Sequence, residues 1–398
     1  MPGAGPLGLV LTGGGARGAY QVGVLDWIAR RYPWLEVPIV TGVSAGAVNT
    51  ACVAAHPDGF GPGVGQLRGL WCDLTVDRVF RADFRSIGST ALRWGFRLAS
   101  GGARAAPRVR GFLDTGPLRE YLGSVLENED GLIKGIGRNL EEGKLRAAAV
   151  AATSYSTNQS VVFVQGCDIV PWARPQRRTE MTRLTLEHIM ASAALPMFFP
   201  AVRIGNEWFG DGGVRLTAPL SPALHLGANR ILAISTRYDR SKAETAMPTV
   251  PGYPPPAQVL GSLLNAVFLD LIDQDALRLH RINELLDRLP ADRRDGMRIV
   301  DLLVIRPSRD LGRLAAEFEP QLPRAFRFMT RGLGTREQKS PDMLSLLMFQ
   351  QDYIRRLLEI GEHDAEARAA ALDAFLAPLL PPRPDFSGPG PVAASGPS

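Results

Sequence analysis

The chain has 398 residues, with 45 Lys and Arg against 40 Asp and Glu, which gives a formal net charge of +5. A hydrophobic content of 45% and a charged content of 21% exclude an intrinsically disordered chain. The small net positive charge gives no reason to expect a nucleic-acid partner. The cysteines, Cys52, Cys72 and Cys167, have neither paired nor CxxC spacing, so we expect a reducing compartment and no disulfide scaffold.

The sequence contains no recognisable export signal or membrane span. Residues 1–6 include no basic residue, the apolar run after them is short, and no small-residue cleavage site follows. The most apolar later stretch, residues 189–202, is interrupted by Pro196 and Pro200 and falls short of the about 18 apolar residues that a spanning helix needs. We therefore expect a cytoplasmic protein without a transmembrane segment.

The first part of the chain alternates between apolar runs, glycine turns and helical patterns. Residues 7–12 are apolar and stop at Gly13, and residues 18–31 carry apolar side chains at helical spacing. Residues 37–41 and then 47–55 repeat the order of strand and helix. This order predicts a parallel sheet wrapped by helices, with right-handed crossovers. We expect further strands over 147–153, 161–165, 231–236 and 299–305, and further helices over 184–194, 259–289 and 343–360.

Composition predicts the domain organisation. Residues 7–240 contain the strand and helix pattern and form the expected catalytic domain. Within it, residues 78–112 mix arginines and aromatic residues with glycine and serine, and we interpret them as a cap insertion, suited to an anionic interface or to a solvated surface. Residues 257–377 are expected to be an extension of helices and strand that packs on this domain. In residues 378–398 Pro, Gly, Ala and Ser dominate, which predicts a disordered tail.

The first glycine turn, Gly13-Gly14-Gly15-Ala16-Arg17-Gly18, follows a strand and opens a helix. Its GxGxxG spacing fits a dinucleotide-binding turn, but the second strand ends in Thr41 and Gly42, without the acidic residue that holds a ribose. A purely structural turn would have the same pattern. In a third interpretation, glycine amides at a helix N-terminus stabilise a developing oxyanion. This turn alone leaves the three interpretations open.

The second turn, Gly42-Val43-Ser44-Ala45-Gly46, is a GxSxG motif between a strand and a helix, which is the context that the motif requires. Such a turn presents the hydroxyl of Ser44 at the carboxyl edge of the sheet, where open α/β sheets bind their ligands. The flanking glycines allow the strand and the helix to close around it. Ser44 is therefore a candidate nucleophile.

A serine nucleophile needs a base. The chain has 5 histidines, at positions 56, 188, 225, 280 and 363. None of them follows a strand end or a glycine-rich turn, and only His225 is kept as a candidate. Asp211, in Trp208-Phe209-Gly210-Asp211-Gly212-Gly213, lies between glycines that let another loop approach, although a turn aspartate that caps its own backbone gives the same pattern. With an ordinary pKa of about 3.9, Asp211 could deprotonate an alcohol only if it is desolvated and assisted by an oxyanion hole.

Taken together and in this order, the three motifs resemble those of the patatin-like phospholipase family. Residues 191–200, ASAALPMFFP, also resemble the stretch that precedes the catalytic aspartate of that family. The resemblance covers about residues 7 to 236. It implies a three-layer α/β/α sandwich with a mostly parallel central sheet, to which C-terminal helices are added.

The resemblance also implies residue roles. Ser44 would form an acyl-serine intermediate, and Asp211 would act as the general base for Ser44 and then for water. The implied oxyanion hole comprises Gly13, Gly14, Gly15, Arg17 and Gly18, with Arg17 steadying the loop, and the motifs are supported by Gly42, Gly46, Gly212 and Gly213. The implied substrate is a lipid acyl ester, of the phospholipase A or lysophospholipase type, at a membrane interface, with the enzyme bound there peripherally.

We expect no metal ion or other cofactor, because the histidines are scattered and no acidic cluster has ligand spacing. Two alternatives to a Ser–Asp lipid hydrolase stay open on the residues alone. One is an esterase of small esters in which His225 assists Ser44. The other is a nucleotide-binding or interaction module that uses the same glycine turns without chemistry.

Overall fold

The computed structural model describes residues 5–81, 88–89, 92, 96, 99, 111–126, 128–246, 253–254, 256–268, 271–332 and 342–380. Most of the predicted cap insertion over 78–112, and residues 381–398 of the tail predicted over 378–398, lie outside the described residues. The domain boundaries therefore stay predictions.

The described strands are β1 Leu7–Leu11, β2 Ile39–Val43, β3 Asn128–Glu129, β4 Leu132–Ile133, β5 Ala147–Ser154, β6 Gln159–Gly166, β7 Ala173–Arg174, β8 Arg177–Met181, β9 Val202–Ile204, β10 Glu207–Asp211, β11 Arg230–Ile234 and β12 Asp301–Ile305. The described α-helices are α1 Gly18–Arg31, α2 Ala45–Ala55, α3 Phe60–Asp73, α4 Val76–Val79, α5 Gly116–Val125, α6 Lys134–Glu141, α7 Leu186–Ser192, α8 Ser221–His225, α9 Lys242–Thr245, α10 Pro256–Phe268, α11 Leu271–Asp287, α12 Leu311–Phe318, α13 Arg324–Gly332, α14 Asp342–Leu347, α15 Gln351–Ala367 and α16 Ala369–Leu376. Short 3₁₀ helices span Gly15–Arg17, Gly212–Val214, Ala291–Arg293, Glu319–Gln321 and Ala377–Leu379.

The central part of the main sheet is parallel, in the order β12-β11-β1-β2-β5. Its strands are short apolar runs because both faces are covered, which is typical of parallel sheets. The next strand, β6, is antiparallel to β5, and β8 and β7 continue the sheet beyond it. The mostly parallel sheet predicted from the sequence is confirmed.

Helices cover both faces of this sheet. Alternate residues of one strand point to opposite faces, so Leu9 packs in the core beneath α1, α2 and α7, whereas Val10 packs in the core beneath α8 and α11. The C-terminal helices divide between these layers. Helix α11 lies on the second face of the sheet, and α15 forms an outer layer on α1. The predicted three-layer fold with C-terminal helices is confirmed.

Two of the predicted helices differ in the structure. Over 259–289 the structure describes α10 and α11, and residues 269–270 between them lie outside the described residues; Leu264 in α10 packs in the core of the first face, whereas Ile272 and Leu279 in α11 pack in the core of the second. The helix predicted over 343–360 is interrupted after α14. There Phe349 stacks against Trp71 in the core, and the side chain of Gln350 accepts a hydrogen bond from the backbone of Tyr353 to begin α15.

Six of the described strands were missed by the sequence prediction: the two-residue strands β3, β4 and β7, and the longer strands β8, β9 and β10. Strand β8 carries the polar sequence RRTEM, which has no apolar run to reveal it. Strands β9 and β10 form an antiparallel hairpin across Gly205 and Asn206. A Gly-Asn pair between two apolar segments is a known hairpin signal, so this pair of strands could have been found.

Helices α1 and α15 approach each other through glycines. A Cβ atom at Gly361 would lie 2.2 Å from the carbonyl oxygen of Tyr20, and one at Gly23 would lie 2.0 Å from that of Leu358. Neither backbone oxygen can move without separating the helices. The contact between these helices therefore depends on the absence of two side chains.

We expect Gly361→Ala to lower the free energy of unfolding by about 1–3 kcal/mol, the usual cost of overpacking. The matched control is Gly69→Ala in α3, where an added Cβ meets no atom within 4 Å and alanine should raise stability by up to about 1 kcal/mol. Urea denaturation measures both. Equal effects of the two substitutions would contradict the described helix contact.

Candidate active site

Ser44 occupies a strained turn between β2 and α2. Its backbone has φ 57° and ψ −127°, a conformation that a residue with a side chain adopts only when its surroundings enforce it. The N–H of Ser44 donates to Oγ of Ser192 at 3.0 Å, and this hydroxyl donates to the carbonyl oxygen of Ala151 at 2.6 Å. A fully buried serine from α7 thus ties the turn to β5.

Strand β5 brings Asp211 to Ser44. One edge of β5 pairs with β6, and the other edge pairs with β2 over its first residues and with β10 over its last. Strand β2 runs parallel to β5 and ends with Val43 opposite Ala151, whereas β10 runs antiparallel and ends with Asp211 opposite Ala152. The two strands therefore run towards each other and end at adjacent positions, so that Ser44 and Asp211 meet.

The carboxylate of Asp211 is fully buried. Burial raises its pKa from 3.8 to about 7, against the opposing effects of the Ser44 hydroxyl and of the N–H of Gly213. Only the Gly213 contact is a complete hydrogen bond, at 2.9 Å to Oδ1. Within the described chain Oδ2 has no hydrogen-bond partner. Ser44 and Asp211 therefore face each other without a closed hydrogen bond, as is common before a substrate is bound.

The first glycine turn lies directly against Ser44. A Cβ atom at Gly13 would lie 3.0 Å from Cβ of Ser44, and the Gly13 carbonyl accepts a 2.6 Å hydrogen bond from the hydroxyl of Thr236. Gly14 and Gly15 have φ values of 153° and 54°, which side chains disfavour. No acceptor for their N–H groups is found among the described residues. These amides are thus available beside Ser44.

A buried polar chain fixes the two turns relative to each other. The side-chain amide of Gln21 donates to the carbonyl oxygens of Thr12 and Ile234, at 2.9 and 3.0 Å. Asn49 donates to Gln21 at 2.9 Å and accepts from the indole of Trp71 at 2.8 Å. Because these groups are buried, each lost bond would leave an unsatisfied polar atom. These buried hydrogen bonds therefore resist relative movement of β1, α1 and α2.

Arg17 anchors the first turn to the C-terminal helices. Its side chain is 3% exposed; Nε donates to Oγ of Ser345 at 2.7 Å, and Nη2 to Oδ1 of Asp342 at 2.5 Å. Oδ2 of Asp342 accepts from Asn265 at 2.6 Å. The guanidinium thus points away from the predicted oxyanion hole, to which Arg17 can contribute only by holding the backbone in place.

The remaining glycines of the motifs are sites of close backbone approach. A Cβ atom at Gly42 would lie 2.2 Å from the carbonyl oxygen of Gly46, and one at Gly46 would lie 2.2 Å from that of Leu11. Gly212 passes equally close to the carbonyl of Ala151. The start of α1 at Gly18 packs on α2. The structure therefore brings all the predicted motif residues together around Ser44.

The histidine candidate lies in a different environment. The ring of His225 stacks on Trp172 with centroids 4.5 Å apart. Burial lowers its pKa, as do the charges of Arg174, Arg177 and Arg298. His188 is also a packed side chain: it caps α7, and burial lowers its pKa to about 4. Neither imidazole has Ser44 among its partners in the described chain.

Sequence reasoning missed Ser192, Gln21, Asn49, Asp342 and Tyr155. The hydroxyl of Tyr155 packs over Gly210, where an added Cβ would lie 2.2 Å from it, and its pKa is raised by burial and by the charge of Asp211. The only available signal was polar residues within apolar helical patterns, at Gln21 and Asn49. Long-range partners such as Asp342 leave no local pattern.

No group of His, Cys, Asp and Glu suited to a metal ion occurs in the described part of the chain. A search of the described helices likewise found none with the length and apolarity to span a bilayer.

Comparisons with known proteins relate the chain to one family model and to solved structures of low sequence identity. The model of the family described as patatin-like phospholipase matches residues 9–224. VipD from Legionella pneumophila is structurally similar, with a TM-score of 0.36 and 15% identity over 89% of this chain and 67% of that one. Human GIVD cytosolic phospholipase A2 has a TM-score of 0.43 and 11% identity, and the similarity covers 94% of this chain and 60% of that one. The structure of its complex with methyl gamma-linolenyl fluorophosphonate has a TM-score of 0.43 and 14% identity, and the similarity covers 94% of this chain and 59% of that one.

The chain thus spans about 60% of the length of the human phospholipase structures that it matches. No curated protein sequence matches it.

We expect Asp342→Asn to lower kcat about ten- to hundredfold with little change in KM, because Arg17 loses its charged partner and the glycine turn shifts. The matched control is Asp352→Asn, an exposed acid paired with Arg355, which should leave kcat unchanged. Kinetics on a water-soluble short-chain ester measure both. An unchanged kcat in a folded Asp342→Asn protein would disprove this anchoring role.

Proposed function

The chain belongs to the patatin-like phospholipase family, a family of serine acyl hydrolases, and from that premise we propose that it hydrolyses lipid acyl esters with Ser44 and Asp211 as a catalytic dyad. The observation that carries the proposal is the meeting of β2 and β10 on one edge of β5. It places a strained serine beside a buried carboxylate whose Oδ2 is unpaired in the described chain.

In the first step, Oγ of Ser44 attacks the ester carbonyl while its proton passes to the carboxylate of Asp211. The N–H groups of Gly14 and Gly15 receive the developing oxyanion. Removal of one such donor typically costs about 100- to 1000-fold in rate, so the glycine turn supplies a large part of the stabilisation. The intermediate then collapses, the alcohol leaves with the proton from Asp211, and Ser44 carries the acyl group.

In the second step, water replaces the alcohol. Asp211 takes a proton from water as the water oxygen attacks the acyl-serine carbonyl, and the same amides receive the oxyanion. Collapse breaks the bond to Oγ of Ser44, which regains a proton from Asp211, and the fatty acid is released. One carboxylate therefore serves both half-reactions and returns to its ionised form.

The environment of Asp211 supports this role. A base acts best when its pKa lies near the working pH, and burial raises that of Asp211 to about 7. The alternative base, His225, is favoured by no observation, because it is stacked on Trp172 among arginines.

For the substrate we propose a phospholipid or lysophospholipid, because the family to which the chain belongs is described by that activity. The enzyme would meet its substrate at a membrane interface and bind there peripherally. A cytoplasmic setting is supported by the cysteine pattern, in which Cys52, Cys72 and Cys167 are free.

We expect Ser44→Ala and Asp211→Asn each to lower kcat about a thousandfold or more on a phospholipid and on a short-chain ester, since residues that act as one unit fail together. The matched control is His225→Ala, which should keep wild-type turnover. Steady-state hydrolysis of both substrates measures all three variants. Loss of activity in His225→Ala, with activity kept in Asp211→Asn, would instead establish a histidine-assisted esterase.

We also expect kcat/KM to rise with pH up to about 7 and then level off. The pKa of Asp211 is raised to about 7, so below that pH the carboxyl is protonated and cannot accept the proton of Ser44. Activity should fall about tenfold per pH unit on the acid side. The rising limb should persist in His225→Ala, and a flat profile from pH 5 to pH 8 would contradict the raised pKa of Asp211.

A further inference from the structure

Helix α11, Leu271–Asp287, is buried along one side only. Ile272, Leu279 and Leu286, spaced seven residues apart, are 2%, 6% and 2% exposed, and the first two pack in the core on the second face of the sheet. A heptad spacing keeps these residues on one stripe of the helix. The rest of the helix surface has to meet something other than the core.

The outer side of this helix is unusually apolar. Leu277, Ile282 and Leu285 are 51%, 44% and 61% exposed, and Leu289, just after the helix, is 39% exposed. Leu277, Leu285 and Leu289 fall in one row with Arg281 at intervals of four residues, and Ile282 lies three residues before Leu285. Residues three or four apart are neighbours on a helix surface, so these side chains form one exposed stripe. Scattered exposed leucines need no explanation, but a continuous stripe indicates a binding surface.

The same side carries three arginines. Arg278, Arg281 and Arg288 are all exposed, and none of them forms an ion pair with another residue of the described chain. We call the seven residues of this side the outer face of α11: Leu277, Arg278, Arg281, Ile282, Leu285, Arg288 and Leu289.

The acidic residues of α11 lie elsewhere and mostly have partners. Asp273 pairs with Arg237 and Arg306. Asp275 accepts a hydrogen bond from the backbone of Leu220 at 2.8 Å, and Glu284 contacts His280. Glu284 borders the outer face, because it lies three residues after Arg281 and four before Arg288. The seven residues of the face itself are apolar or positively charged.

The outer face begins near the edge of the sheet that holds Ser44. Asp273, one turn before Leu277, is bound to Arg237 and Arg306, which follow the carboxyl ends of β11 and β12. In a parallel sheet all strands end at the same edge. The helix therefore starts at the edge of the sheet that carries the candidate active site.

We propose that the outer face of α11 docks on the surface of an anionic phospholipid membrane. Interfacial helices lie in the headgroup region with apolar side chains inserted and basic side chains against lipid phosphates, and the stems of arginine add apolar contact. A second copy of the chain fits less well, because pairing through this face would bring the arginines of the two copies together without an acidic partner on the face. The charge of the face thus selects anionic lipid.

This proposal goes beyond the proposed hydrolysis and does not depend on Ser44 or Asp211. Binding is measured by sedimentation of the full chain carrying Ser44→Ala, so that no hydrolysis alters the lipid. The probes are vesicles of phosphatidylcholine alone and of equal parts phosphatidylcholine and phosphatidylglycerol. Turnover of a short-chain ester, measured in the wild-type background, reports separately on the proposed chemistry.

We expect Arg278→Glu/Arg281→Glu/Arg288→Glu to weaken binding to the anionic vesicles by at least about a hundredfold, since each basic residue contributes roughly fivefold. Leu277→Ser/Leu285→Ser/Leu289→Ser should also weaken it. The matched control, Arg174→Glu/Arg203→Glu/Arg313→Glu, makes the same charge change at exposed positions elsewhere and should bind within about threefold of the parent. All three variants should keep short-chain ester turnover.

Three results would overturn the proposal. The first is wild-type binding by both face variants. The second is equal weakening by the control variant, which would indicate net charge alone. The third is a face variant that loses self-association, measured by light scattering, while it keeps vesicle binding. If the wild-type protein does not hydrolyse the short-chain ester, that result would count against the proposed Ser44–Asp211 dyad. It would not change the interpretation of vesicle binding.

Discussion

The arrangement of the site depends on one pairing constraint. A single strand, β5, is bordered along one edge by two strands that approach from opposite directions, β2 ending opposite Ala151 and β10 ending opposite Ala152. Neither strand can be longer without displacing the other. The chain must turn sharply after each, and the turns after Val43 and at Asp211 therefore share one small volume. Backbone hydrogen bonding sets the meeting of serine and carboxylate before any side-chain contact does.

The same constraint buries a carboxylate at an energetic cost. A pKa that rises from 3.8 to about 7 corresponds to a penalty on the ionised form on the order of 4 kcal/mol, at 1.36 kcal/mol per unit. The surrounding structure has to offset this cost. The Ser192 bridge and the Gln21–Asn49–Trp71 hydrogen bonds fix the two glycine turns, and α15 packs on α1, which follows the first of them. Asp211 is buried within this frame, where an ordinary surface aspartate would be hydrated.

The features that were predicted correctly from the sequence are those that a short segment determines by itself. Apolar runs ending in glycine identified the parallel strands, and GxSxG at a strand end identified the turn at Ser44. Asp211 stood out because glycines flank it. The sequence did not predict the anchoring of Arg17 by Asp342, which lies 325 residues away, because long-range pairs leave no local periodicity. For the same reason the prediction of one helix over 343–360 was wrong: the interruption follows from Phe349 entering the core beside Trp71.

The central claim is that Ser44 is a nucleophile activated by Asp211. Its most direct test is reaction of the protein with a fluorophosphonate, followed by peptide mapping by mass spectrometry of wild type, Ser44→Ala and Asp211→Asn. We expect a single adduct on Ser44 in wild type, none in Ser44→Ala, and strongly slowed labelling in Asp211→Asn. An adduct on another residue, or an unreactive Ser44 in the presence of lipid, would contradict the account and favour a binding role for the glycine turns.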